Sequence, residues 1–438
     1  MKIRILGIMI LIMNSTILFS QETEQSVESY LSRYQYQQAI DYLEQKNDTS
    51  KEASMQKVLC YNYLHNYPKG IEILLSLQEK YPYDMQVKLQ LASFYNKMSM
   101  LSESLNCFDE LIKMDSDNIY FRIQKADLLY QSSKYDQALE EYKYAANAYN
   151  SSYLLKQIAF CFKNDQQRDS AKIYFEQALR IDSLDKETQV ELIKIEISNK
   201  DYESGLALSE RFISKDTNNI QINILKLKSL CYYELKDYKT AAENFERCHS
   251  LGDTSLFVNK YLGFSYYFDD ENDKACPYLI QAYKQDTTNN NVLYALAVVN
   301  QQLENYPEAI RLYEALIQRV VLPNYILYTY YKKLADSYAK NKDYLFAIEN
   351  YKKALLYFSE NQDMELLFNL ADIYDIQLHN YEMALNYYKQ YRESLIKYLQ
   401  LLTAKDNINE NKDEVEGVSR RIENLDEQII YIEGKIKK

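Results

Sequence analysis

The sequence predicts an all-α solenoid of about eleven helix–turn–helix hairpins followed by a C-terminal helix. Three observations predict it. Apolar residues recur at helical spacing along most of the chain, which is the pattern of amphipathic helices. Small residues return in phase with that spacing, unit after unit. Residues that punctuate sheets and linkers are scarce, with 7 Gly and 5 Pro in 438 residues. A single core stops growing at about 250–300 residues, so a chain of this length divides into domains or repeats a unit.

Bulk composition suits a soluble folded protein, at 47% hydrophobic and 26% charged. Tyr is abundant at 45 residues and Trp is absent. The net charge of −12 argues against a general nucleic-acid binder, because neutralising phosphates needs a basic face.

Residues 1–20 differ from the rest. Lys2 and Arg4 give a short positive start, and an apolar run from Ile5 to Met13 continues at Ile17-Leu18-Phe19. The run is interrupted at Asn14-Ser15-Thr16 and is too short for a good membrane span. Leu18 and Ser20 occupy the two positions a signal peptidase reads before Gln21. The expectation is a cleaved secretory signal over 1–20, against the alternatives of an uncleaved anchor or a buried helix. No Cys follows the apolar run, which argues against a lipidated N-terminus. The mature chain is then expected to be exported, periplasmic or extracellular or associated with the envelope, with no membrane span after cleavage.

The repeat occupies 21–404. Its small anchors are Ala39, Gly70, Ser104, Ala138, Ala171, Gly205, Ala241, Ala275, Ala309, Ala347 and Ala384, and five of the ten steps between them are 34 residues. Three residues before the anchor stands Tyr in eight of the eleven units. Four residues after it a large apolar group stands in ten, as at Phe108, Tyr142, Phe175, Phe245 and Tyr313. Twelve before it lies another small residue, such as Ala92, Ala126, Ala159 or Gly263, and nine before it an aromatic, such as Tyr61, Tyr232 or Tyr266. Offsets of four and seven share one helix face, so each half-unit is amphipathic. A small residue on that face lets two helices approach, and the aromatic one turn away fills the groove beside it. Such a hairpin cannot cover its own apolar face, and stacking neighbours covers it. Short polar stretches between hairpins, such as Asp182-Ser183, Asp216-Thr217-Asn218-Asn219 and Asp286-Thr287-Thr288-Asn289, end one helix and cap the next.

This pattern resembles the tetratricopeptide repeat family. The best single match is Leu262-Gly263-Phe264-Ser265-Tyr266 followed by Ala275 and Ala282. Leu370-Ala371 with Tyr374, Tyr381 and Ala384 is another, with one extra residue in its inner turn. The likeness covers about residues 22–400. It departs from the family in lacking the signature Trp throughout and the terminal Pro in most units (Pro82 is an exception), and in placing Glu196 where an aromatic is expected. The resemblance implies a right-handed superhelix whose first helices line a concave, ligand-facing surface.

Residues 405–438 leave the repeat. After a polar break at Asp406-Asn407-Ile408-Asn409, the residues Val415, Val418, Ile422, Leu425, Ile429, Ile432 and Ile436 form a heptad stripe with charged flanks. It reads as a helix capping the last repeat, as a coiled coil through which the chain dimerises, or as a tail.

Signals for catalysis and metal binding are absent. His65, His249 and His379 lie in different repeats, and no motif for zinc, phosphate or nucleophilic catalysis occurs. Neither an enzyme nor a cofactor is expected. The six cysteines fall mostly on positions for small buried side chains and are expected to be free thiols. Were one bridge to form, Cys248 with Cys276 would be the pair.

The function expected is an interaction scaffold that holds a peptide or protein partner. The alternative is a binding module for an anionic glycan or other envelope polymer. In the family this chain resembles, ligand-facing residues come from the first helix of each hairpin, here 15, 11 and 8 residues before the anchor. They are Lys156, Phe160 and Lys163; Lys226, Leu230 and Tyr233; Lys260, Phe264 and Tyr267; then Tyr294 and Lys332. A row of Lys interleaved with aromatics suits an acidic, partly apolar segment.

Overall fold

The structure, a computed structural model, describes residues 26–215, 221–319, 323–357, 364–403 and 412–437. The expected signal segment, the linker at 216–219 and the polar break at 406–409 lie outside the described residues. The described residues are helical, and no strand occurs among them.

Among the described residues, the helices follow one another in eleven helix–turn–helix units. Chain contacts divide them into two compact units, Met1–Ile195 and Glu196–Lys438. Among the described residues, the first unit holds five hairpins, from Val27–Ser32 with Tyr36–Gln45 to Ser152–Asn164 with Arg168–Ile181, and most of the helix Lys186–Ser198. The second holds the end of that helix, the helix Tyr202–Lys215 and five more hairpins. These run from Ile222–Glu234 with Tyr238–Ser250 to Glu365–Asp372 with Tyr381–Thr403, and the cap helix Lys412–Ile436 follows.

Ten of the eleven hairpins turn in the same way, and all share one left-handed residue. The residue five before each anchor is left-handed, with φ between 50° and 67°. In ten hairpins the next N–H donates to the carbonyl five residues back at 2.8–2.9 Å, as in Asp237 to Tyr232 and Asp343 to Tyr338, closing a Schellman-type end. None of the eleven left-handed positions is Gly: they are Tyr34, His65, Ser99, Ser133, Gln166, Lys200, Lys236, Asp270, Glu304, Lys342 and His379. A residue with a Cβ costs about 1–2 kcal/mol in this conformation.

The anchors sit where the helices cross. Ala39, Ser104, Ala138, Ala171, Ala241, Ala275, Ala309, Ala347 and Ala384 are all 0% exposed. The two positions with Gly show how tight the crossing is. A Cβ on Gly70 would stand 2.1 Å from the Phe94 ring, and one on Gly205 would stand 3.0 Å from Cys231 Sγ. The large residue four after the anchor fills the adjoining groove, and Tyr142, Phe175, Phe245 and Tyr313 are wholly buried. Burying a side chain of this size contributes about 1.5–3 kcal/mol, which is the main stabilisation each hairpin gains by stacking.

Tyrosine serves here as an apolar body with a polar tip. Nine residues before the anchor, Tyr232, Tyr266 and Tyr338 donate to Glu210, Glu246 and Glu314 of the preceding hairpin, the first at 3.3 Å and the last at 2.6 Å. Four after the anchor, Tyr351 donates to Asp336 within its own hairpin at 2.6 Å.

The C-terminal stripe is covered by the chain itself. Val418, Leu425, Ile429 and Ile432 are buried in the core that also holds Tyr388, Leu395 and Leu402 of the helix Tyr381–Thr403. Arg392 pairs with Asp426, Lys389 with Glu433 at 2.8 Å, and Tyr398 donates to Glu414 at 2.6 Å. The segment therefore caps the last repeat. Dimerisation through the same stripe, one of the expectations above, would require the cap helix to detach.

Replacing Lys236 and Lys342 together by Gly should raise stability, because glycine removes the left-handed cost while losing more chain entropy. The net gain is about 0.5–1 kcal/mol at each site. Chemical denaturation of the double variant measures it, and a midpoint at or below that of the parent would contradict the turn geometry.

Candidate functional site

The first helices carry the residues singled out for binding, and the two units are described separately. In the first unit, Lys156 on Ser152–Asn164 reaches forward to the next hairpin. Its ammonium meets Asp185 at 2.9 Å and Glu187 at 3.0 Å. Asp185 also caps the next helix, accepting from the N–H groups of Glu187 at 3.1 Å and Thr188 at 3.4 Å. Burial works to raise the Asp185 carboxyl, but hydrogen bonds from Lys156 and Thr188 outweigh it and hold the group below the usual aspartate range. Lys163 pairs with Glu191 and lies 5.7 Å from the Phe160 ring centroid. Phe160 packs edge-on to Phe175 at 5.2 Å.

In the second unit, Lys226 bonds Asp253 of the next hairpin at 2.8 Å. Lys332 lies 3.6 Å from Glu365, again one hairpin on. The row of Lys is thus largely a row of ties between consecutive hairpins. Lys260 differs. Its ammonium stands 4.5 Å from the centroid of the Tyr261 ring, and it forms no ion pair among the described residues. Asp286 feels its charge only at longer range. Leu230, Tyr233, Phe264, Tyr267 and Tyr294 are partly buried and pack on the core formed by the hairpins from Ile222 to Lys340. Tyr233 meets Tyr261 edge-on at 5.1 Å, and Tyr294 stacks on Tyr330 at 5.3 Å. Lys260 and its aromatic neighbours are therefore brought to one face, whereas Lys156, Lys163 and Lys226 each already hold a carboxylate.

The other chemistry-bearing residues have structural positions. His65 and His379 are left-handed turn residues, and His249 packs edge-on to Tyr278. Among the described residues, no three of His, Cys, Asp and Glu converge as a metal ion would need. No helix among them is long and apolar enough to cross a membrane. All six cysteines are free, Cys248 and Cys276 included. Burial pushes the Cys161 and Cys231 thiols up to about 12, and those of Cys60, Cys107 and Cys248 to about 11.

The sequence reading missed one feature. A cleft of about 770 Å³ lies between the last hairpin and the cap helix, lined by Phe368, Asp372, Tyr391, Tyr398 and Arg421 among others. The signal was available as the extra residue in the inner turn of that hairpin.

No protein-family model matches the chain, and no curated protein does. Solved structures do resemble it. The C-terminal part of a TPR repeat-containing protein from Cytophaga hutchinsonii is 20% identical with a TM-score of 0.45, the match covering 57% of this chain and 99% of that one. A tetratricopeptide repeat protein from Parabacteroides merdae is 13% identical with a TM-score of 0.39, covering 57% and 98%. MamA from Desulfovibrio magneticus is 15% identical with a TM-score of 0.36, covering 39% and 94%. Likenesses this distant carry no function across. The chain's own repeating turn, buried anchors and near-34-residue period define the class: an all-α array of tetratricopeptide-type hairpins.

A lowered aspartate contributes stability above its unfolded value, about 3.9, and loses it as pH falls through the folded value. Asp185→Asn keeps a good capping residue but removes the charge. The variant should lose about 1 kcal/mol at pH 6, and between pH 6 and pH 2 that loss should shrink as the parent carboxyl takes up its proton. Denaturant titrations across that range measure it, and an equal loss at both ends would show that the tie is not electrostatic.

Proposed function

We propose that this protein is a non-catalytic interaction scaffold that works outside the cytoplasm and holds a protein or peptide segment on first-helix faces of the second unit. The observation that carries this is Lys260. It is the cation of the row whose charge is not taken up by a carboxylate of the next hairpin, and it stands beside Tyr261, Phe264 and Tyr267. An ammonium offers a charge-assisted donor to a carboxylate, and aromatic surface supplies area and orientation at small entropic cost. The segment that fits is acidic and partly apolar. The ties made by Lys156, Lys163 and Lys226 have a supporting part in this reading, because they fix the spacing between hairpins from which the faces are built.

Export is supported by the charged start at Lys2 and Arg4, the apolar run to Met13, and the small residue at Ser20. Mass spectrometry of the protein from its native cell should find a mature N-terminus near Gln21 in a non-cytoplasmic fraction. An intact N-terminus in the cytosol would refute export.

The binding face is tested by comparing Lys260→Glu with Lys226→Glu, once a partner has been captured from the native envelope fraction. Lys260→Glu should leave the melting temperature unchanged and weaken binding about tenfold or more, with a shallower salt dependence. Lys226→Glu should instead lower stability, since it places like charges at Asp253. Unchanged affinity in a folded Lys260→Glu variant would rule out this face.

A further inference from the structure

The last hairpin breaks the pattern in a way that exposes chemistry. Its first helix, Glu365–Asp372, runs into a single π turn, Ile373–Gln377, which absorbs the extra residue. The closing bond shifts with it, from Asn380 N–H to the Tyr374 carbonyl at 2.7 Å, a span of six residues instead of five. Such turns cost helix stability and are frequent at functional sites. Here the turn and the residue before it bring two carboxylates together at the inner side of the hairpin.

Asp375 is 7% exposed and accepts from Gln428 Nε2 at 2.8 Å and from the Tyr388 hydroxyl at 3.5 Å. Asp372 lies on the wall of the cleft. Neither forms an ion pair among the described residues. Burial and the Asp375 charge both push the Asp372 carboxyl up, so its ionised form is held at a cost that a cation would relieve. The cap helix contributes Arg421, which is exposed and does not offset that shift.

The wall beside it is aromatic. Phe368, 38% exposed, lies 5.9 Å from Tyr388 and 5.6 Å from Tyr391, ring centre to ring centre, forming a three-ring shelf beside Asp372. A cleft of about 770 Å³ falls within the usual range of about 300–1,000 Å³ for a site that encloses a ligand. Aromatic faces with an unpaired carboxylate are the combination that binds an organic cation on an apolar stem.

We propose that this cleft receives the basic side chain of a partner segment, an arginine or lysine flanked by apolar residues. Phe368 and Tyr391 pack the stem, backed by the buried Tyr388, and Asp372 meets the charge. The site is separate from the Lys260 face and has the opposite charge preference, so each stands or falls alone.

The test uses the full chain and a fluorescent pentapeptide with a central arginine flanked by leucines, read by anisotropy at 0.15 M salt. Its control carries citrulline, which keeps the shape and removes the charge. The arginine peptide should bind, and the citrulline peptide should bind about tenfold or more weakly, as should the arginine peptide to Asp372→Asn. Phe368→Ala, at a half-exposed position that should not threaten folding, should weaken both peptides. Lys260→Glu should change nothing. Absence of binding by the arginine peptide, equal binding by the citrulline peptide, or parent-like binding by folded Asp372→Asn or Phe368→Ala would each overturn the proposal.

Discussion

The whole structure depends on how closely two helices can approach at one buried position per hairpin. That position tolerates nothing larger than a hydroxymethyl group: nine anchors are Ala or Ser with no exposed surface, and a Cβ on Gly70 would enter the Phe94 ring. Close packing propagates this constraint. With the crossing fixed, the groove beside it has one size, and Phe or Tyr four residues later fills it. The left-handed turn follows from the same requirement, because the second helix must reverse within a few residues to reach the crossing.

Polar groups then set the spacing between hairpins. Tyr266 and Tyr338 reach back to carboxylates of the preceding hairpin, while Lys156 and Lys226 reach forward to Asp185 and Asp253. Each tie is partly shielded from water, so its geometry matters more than its modest energy. Most lysines of the first-helix row are thereby used to tie hairpins together. Lys260 is the exception that leaves a charged, aromatic-lined face.

The fold was legible in the sequence because phase and residue type agree over many units. The anchors, the aromatic four residues on, and the burial of the cap stripe all follow from helical periodicity. What periodicity could not show is pairing. Lys156 and Lys260 occupy the same position in their hairpins, yet one holds two carboxylates and the other rests on a ring. The difference lies in the following loop: Asp185 caps a helix within reach of Lys156, whereas Asp286 turns to the hydroxyl and N–H of Thr288. The C-terminal cleft was equally hidden. The extra residue near Tyr374 was visible, but its absorption as a π turn, which places Asp372 on the wall, depends on packing by a helix about fifty residues further on.

The six thiols bear on how the chain must be made. Folded, they are protonated and mostly out of reach, and oxidants act on the thiolate. Unfolded, they are ordinary cysteines that can join in any of fifteen complete pairings. Under the export proposed above, the chain must close each hairpin before its cysteine meets another. Contacts confined to neighbouring hairpins make that feasible, since closure can follow emergence unit by unit. The native state is then guarded by the order of its assembly: a thiol sequestered early is lost to the crosslinking that would trap its later neighbours.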